Sequence, residues 1–140
     1  TDLKGKKVVL AMIFANCTYA CPLIVNDMKI VEKSLGTREK EETRFVLVSI
    51  DPERDTPKAL AEYAKTRELD QSRWKLLTGR HEEIKELAAL LGFKYKKGEK
   101  GDYIHSNLIN VFNRQGELVF QHEGLNKGTE DIVEKVKILN

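Results

Sequence analysis

The chain has 140 residues, 41% of them hydrophobic and 33% charged. That is the size of one domain, with enough apolar residues to bury a core and too many for wholesale disorder. Its 24 basic and 22 acidic residues leave a net charge of +2, and they are interspersed, which excludes a general nucleic-acid-binding face. The longest mainly apolar run, Val8 to Ala15, falls far short of the roughly 20 residues that span a bilayer. The first residue is Thr1 rather than Met, as expected of a trimmed chain whose leader or anchor precedes it.

The elements alternate. Lys7 to Phe14 is nearly all apolar, as in a strand covered on both faces. Pro22 suits a first helical turn, and Leu23, Ile24, Met28, Ile30, Val31 and Leu35 recur at helical spacing until Gly36. Arg44 to Ile50 is a second buried strand, and Asp51 to Pro57 is a loop. That loop ends with Thr56 as N-cap and Pro57 at the first helical position. Leu60, Ala61, Tyr63 and Ala64 follow as a helical face, and Trp74 to Leu77 is a short strand.

Glu82 to Leu91 predicts a strong helix stopped by Gly92. Phe93 to Tyr103, rich in lysine and glycine, reads as an exposed excursion. His105 to Phe112 and Glu117 to Gln121 predict two strands around the turn Asn113 to Gly116. Gly128 to Leu139 closes the chain as a helix with Ile132, Val133, Val136 and Leu139 on its buried stripe. The order predicts an α/β fold with a central mixed sheet flanked by helices, its first strands parallel, and a C-terminal β-hairpin and helix. It is compatible with the thioredoxin-like fold.

The chemistry concentrates at Cys17 and Cys21, the only cysteines. They follow the first strand and open the first long helix, where free N–H groups and a partial positive charge favour a thiolate. Their spacing is one wider than the Cys-x-x-Cys redox motif. It allows two sulfurs on one ion, or a disulfide whose small loop constrains the unfolded chain little. His105 begins the strand where a thioredoxin carries its cis-proline, and this chain has proline only at 22, 52 and 57. Two thiolates and an imidazole suit copper far better than magnesium or calcium, and zinc accepts them too. His81 reads as solvated on a polar helix, His122 as a strand end, and Met12 and Met28 as core residues rather than thioether ligands.

With these residues the sequence resembles the Sco/SenC family, thioredoxin-like copper proteins that help assemble the copper centre of cytochrome c oxidase. Cys17, Cys21 and Pro22 match its C-x-x-x-C-P motif. Ser49-Ile50-Asp51-Pro52-Glu53-Arg54-Asp55-Thr56-Pro57 matches its S-[IV]-D-P-x-x-D-T-P segment, Trp74-x-Leu76-Leu77-Thr78-Gly79 its next block, and His105-Ser106 its histidine. Thr18 stands where many members carry proline, and Ile104 where many carry an acid, as in a divergent branch.

The resemblance implies one thioredoxin-like domain over residues 1–140, with an N-terminal anchor and first hairpin trimmed. It implies Cys17, Cys21 and His105 as copper ligands, and a site that alternates between copper-loaded dithiol and copper-free disulfide. Asp51, Glu53, Asp55 and Asp102 are candidates for supporting or partner contacts, weighed against helix capping and loop solvation. The loop from Gly92 to Gly101 would gate access. The implied partners are the oxidase copper-binding subunit or another copper-receiving protein, and a thiol reductant. The implied location is the bacterial periplasm, membrane-anchored, or else the mitochondrial intermembrane space.

A thiol–disulfide reductase that keeps a partner's metal-binding cysteines reduced is the competing enzymatic function, with Cys17 and Cys21 as its redox pair. A peroxiredoxin-like peroxidase is disfavoured, because Phe14 stands where that family has proline. A purely structural disulfide is the remaining expectation.

Overall fold

The computed structural model describes residues 3–15, 20–97, 103–124 and 128–139, with Ala20, Cys21, Lys97, Tyr103, Ile104 and His105 placed by their backbone. In chain order the elements are β1 (Lys7–Ile13), α1 (Ala20–Ser34), α2 (Thr37–Glu42), β2 (Thr43–Ser49), α3 (Pro57–Thr66) and β3 (Trp74–Leu77). Then come α4 (His81–Leu91), β4 (Tyr95–Lys97), β5 (Tyr103–His105), β6 (Leu108–Phe112), β7 (Leu118–Glu123) and α5 (Glu130–Ile138).

The main sheet has the strand order β3-β2-β1-β6-β7. β1 runs parallel to β2, with Lys7 opposite Thr43 and Ile13 opposite Ser49, and β2 runs parallel to β3. β6 is antiparallel to β1, with Leu10 opposite Asn110, and to β7. Every residue of β1 is buried, which is why its sequence shows no alternation. Its two faces nevertheless differ. Lys7 reaches α5, its Nζ donating to the Val136 carbonyl at 3.0 Å, while Val8 and Leu10 share a cavity wall with Leu87 of α4. Helices therefore cover both faces.

The core between β1, β2, α1 and α5 is apolar: Val9, Phe45, Leu47, Met28, Val31, Ile132 and Val136 are fully buried. Phe45 and Trp74, paired across β2 and β3, stack with ring centroids 4.9 Å apart. The Trp74 indole N–H donates to Glu32 of α1 at 3.1 Å, so the polar end of the ring is satisfied where the helix crosses.

The structure departs from the sequence reading in four places. The stretch after Gly36, to which the sequence reading assigns no element, forms the short helix α2. Its residues are polar all round, with none buried, so no hydrophobic period announces it. Ile30, expected on the buried stripe of α1, is 49% exposed. Phe93 to Tyr103 is not simply an exposed excursion. Phe93 is buried, and β4 pairs with β5 as a separate two-stranded sheet.

The fourth correction concerns His105 to Phe112, expected as one strand and found divided. Ser106 donates its N–H to the Lys94 carbonyl at 2.8 Å, and its hydroxyl accepts the Lys94 N–H at 3.0 Å. The Asn107 carbonyl instead accepts from Gly124 at 2.9 Å. The chain changes partner between these two residues, leaving β4 for β7.

Candidate metal centre

β1 delivers the chain to the sheet edge where Ile13 pairs with Ser49. The Ile13 carbonyl accepts the Ile50 N–H at 2.8 Å, which keeps the two strand ends together. After Ala15 the chain enters residues 16–19, so Cys17 and Thr18 lie outside the described residues. α1 then starts at Ala20, and Cys21 is its second residue. The first N–H groups of a helix have no partner within it, and they carry the positive end of its dipole. Because α1 is the crossover between parallel β1 and β2, it runs back from their C-terminal ends, and its N-terminus sits at that edge.

The other proposed donor arrives from the opposite direction in sequence. β6 is antiparallel to β1, so it begins at the edge where β1 ends. β5 ends at His105 just before it, and His105 stands opposite Tyr95 in the β4–β5 ladder. The topology thus gives one sheet edge to the segment leading into Cys17, the helix start carrying Cys21, and the strand end carrying His105.

The loop after β2 lies at the same edge. Asp51 and Asp55, candidates for supporting or partner contacts against capping or solvation, are not solvated, with 3% and 2% of their surface exposed. Asp51 pairs with Arg54, and its carbonyl accepts the N–H groups of Arg54 at 3.2 Å and Asp55 at 2.8 Å, closing a tight turn. The Ser49 hydroxyl accepts the Asp51 N–H at 3.0 Å and donates to Asp55 Oδ2 at 2.6 Å. That same oxygen accepts the Ala15 N–H at 3.0 Å. The cap of α3 is Thr56, whose side chain accepts the Ala59 N–H at 3.2 Å, with Pro57 next. The sequence offers Asp51 and Asp55 for supporting contacts, but not which backbone groups they hold, because Ala15 is distant along the chain.

The other histidines stand apart. His81 is exposed, its Nε2 3.3 Å from Glu53, which is exposed too. His122 is buried on β7 with Nδ1 2.9 Å from Asp131 of α5. Its Nε2 and Oδ2 of Asp27 are buried without a hydrogen-bond partner among the described residues. Burial raises the Asp27 carboxyl above its ordinary pKa of 3.8, against a smaller lowering by His122. Met12 and Met28 are 1% and 0% exposed and pack in the core. Asp102 lies outside the described residues. Among the described residues no group of three or more His, Cys, Asp or Glu side chains is arranged to hold a metal ion. No helix among them is long and apolar enough to cross a membrane.

Comparison with known proteins agrees with this architecture. A SCO1 protein homolog of Bacillus subtilis is 33% identical over 140 residues, covering 97% of this chain and 72% of that protein. The crystal structure of a SCO1/SenC family lipoprotein from Bacillus anthracis superposes with a TM-score of 0.88 at 31% identity, over 99% of this chain and 83% of that one. Arabidopsis thaliana ScoI, solved with copper bound, gives 0.82 at 28% identity, over 97% and 85%. The chain spans 57% and 46% of two further curated relatives. The fold is thioredoxin-like, a mixed sheet flanked by helices. The SCO1/SenC family model matches residues 1–139, and the chain belongs to that family.

Proposed function

We propose that this chain is a copper-binding metallochaperone that holds one copper ion on Cys17, Cys21 and His105 and passes it to the copper-binding subunit of cytochrome c oxidase or another copper-receiving protein. Sco family proteins bind copper and take part in cytochrome c oxidase assembly. The observation that carries the reading here is topological. One sheet edge receives the segment into Cys17, the start of α1 at Cys21 and the end of β5 at His105. Two thiolates with one imidazole fit a soft ion, and the start of a helix favours negative sulfur beside it.

Copper is cargo. Reduced, the two thiolates bind it; transfer of two electrons to an oxidising disulfide, which leaves as two thiolates, joins the sulfurs as a disulfide that cannot. A thiol reductant returns the site to its loading state. Residues 1–140 act as a single domain. The working location is the periplasm, membrane-tethered, or the mitochondrial intermembrane space. The lipoprotein nature of the Bacillus anthracis relative supports tethering.

The test is an anaerobic Cu(I) titration of the reduced chain against a competing chelator, with His105→Ala beside it. One tight equivalent, weakened strongly by the substitution, is expected. Tight binding unchanged in His105→Ala removes the histidine from the site. Absence of tight copper overturns the chaperone role and leaves Cys17 and Cys21 as a thiol–disulfide reductase.

A further inference from the structure

We propose that Asp55 is a positioning residue for the Cys17 thiol, acting through the backbone of Ala15; this rests on the dithiol site proposed above. One oxygen of its carboxylate gathers two hydrogen bonds, from the Ala15 N–H at 3.0 Å and from the Ser49 hydroxyl at 2.6 Å. The first fastens the chain as it leaves β1, just ahead of Cys17. The second fixes the carboxylate to the end of β2. Asp55 is 2% exposed and Ser49 0%, so the carboxylate and the hydroxyl meet away from water, where a bond to a charged acceptor is strong and directional.

The acceptor is itself held on a stiff base. The turn closed by the Asp51 carbonyl sets the Asp55 backbone, and the Asp51–Arg54 ion pair braces the turn. Burying a carboxylate is costly unless its bonds are good. A carboxylate so supported, aimed at the N–H that precedes the cysteine segment, fixes where that segment starts. Two sulfurs four positions apart meet one ion only if the chain entering the first is fixed relative to the helix that carries the second. The S-[IV]-D-P-x-x-D-T-P segment thereby acquires a purpose: its Ser49 and Asp55 orient the dithiol without touching copper.

The experiment compares the reduced chain with Asp55→Ala and Asp55→Asn, reading Cu(I) affinity by chelator competition, the pH profile of Cys17 alkylation by iodoacetamide mapped by mass spectrometry, and the urea midpoint. Asp55→Ala is expected to weaken copper at least tenfold and to shift the Cys17 profile. Asp55→Asn keeps a carbonyl oxygen able to accept both bonds and should recover most of each. Wild-type affinity and profile in Asp55→Ala, with only the urea midpoint lowered, overturn the proposal; so does an Asp55→Asn variant as impaired as Asp55→Ala, which points to charge instead. Should Asp55→Ala fail to fold, Ser49→Ala decides: a shifted Cys17 profile supports the proposal and an unshifted one overturns it. If the unsubstituted chain binds no copper, the copper reading fails by itself, and the alkylation profiles still judge the role of Asp55.

Discussion

His105 stands directly opposite Tyr95 in the two-stranded β4–β5 ladder, so the backbone of the proposed imidazole ligand is held by a hairpin outside the main sheet. Ser106 donates to the Lys94 carbonyl, which makes that pair a hydrogen-bonded one. By the alternation of antiparallel ladders, Lys96 and Ile104 are the next such pair. Lys96 is exposed, so Lys96→Pro removes a ladder donor without disturbing the core. Copper affinity is expected to fall at least tenfold, approaching that of His105→Ala, with the denaturation midpoint followed by Trp74 fluorescence nearly unchanged. Chelator competition on the two variants checks this, and wild-type affinity in Lys96→Pro would show that the hairpin does not set the histidine.

Met12 and Met28 are the remaining soft donors in the sequence, and both are sealed in the core. Met12→Leu and Met28→Leu conserve volume and should each cost less than about 1.5 kcal/mol. Both should bind copper as the unsubstituted chain does. Met28→Ala, by contrast, should cost about 2–5 kcal/mol through the cavity it leaves, again with copper affinity retained in the folded fraction. Urea unfolding and copper titration on the same samples separate the two effects.

These contrasts reflect what a sequence displays. β1 and β2 are legible because a strand buried on both faces must be apolar throughout, and α3 and α4 because Thr56-Pro57 and Gly92 mark their ends. Gly92 does so as the C-cap of α4 at φ 69°, a conformation that glycine adopts without strain. α2 is illegible because it buries none of its residues; Gly36 donates to the Glu39 carboxylate at 3.2 Å, and Arg38 pairs with Glu42. The break at Ser106 is illegible because it depends on two partners, Lys94 and Gly124, distant along the chain. At the site, Cys17, Cys21 and His105 stand out by chemical type. Asp55 stands out only as one of several acids that could support the site, since its bond to the Ala15 N–H, forty residues earlier, is not written in the loop. Donor type is written locally, whereas support for donors is written in tertiary contacts.

Thr56 offers a local test of the segment that carries Asp55. Its side chain accepts the Ala59 N–H at 3.2 Å, satisfying one of the free donors at the start of α3. Thr56→Ala should destabilise the fold by about 1 kcal/mol, and Thr56→Ser should restore most of it. Because the cap lies beside the Asp55 turn and not in it, the Cys17 alkylation profile should stay within twofold of the unsubstituted chain. Urea unfolding with alkylation on the same variants checks both halves.

The buried acid on α1 makes a prediction about pH. The Asp27 carboxyl is pushed above its ordinary value mainly by burial, with His122 lowering it to a lesser degree. Asp131 pairs with Nδ1 of the same histidine. A carboxyl whose pKa is raised in the folded state binds its proton more tightly there than in the unfolded chain. Its effect on stability is therefore most favourable below the unfolded value of 3.8, and it declines as pH rises through the raised value. Glu42, Asp70 and Glu83 are lowered by their hydrogen-bond and charge partners and act in the opposite sense, their contribution being lost as pH falls. The difference between the unsubstituted chain and Asp27→Asn cancels them. That difference should favour the variant progressively from about pH 4 upward, then level off above the folded-state pKa of Asp27. Urea midpoints across the pH range measure it, and a difference that does not vary with pH would place the Asp27 carboxyl at its ordinary pKa.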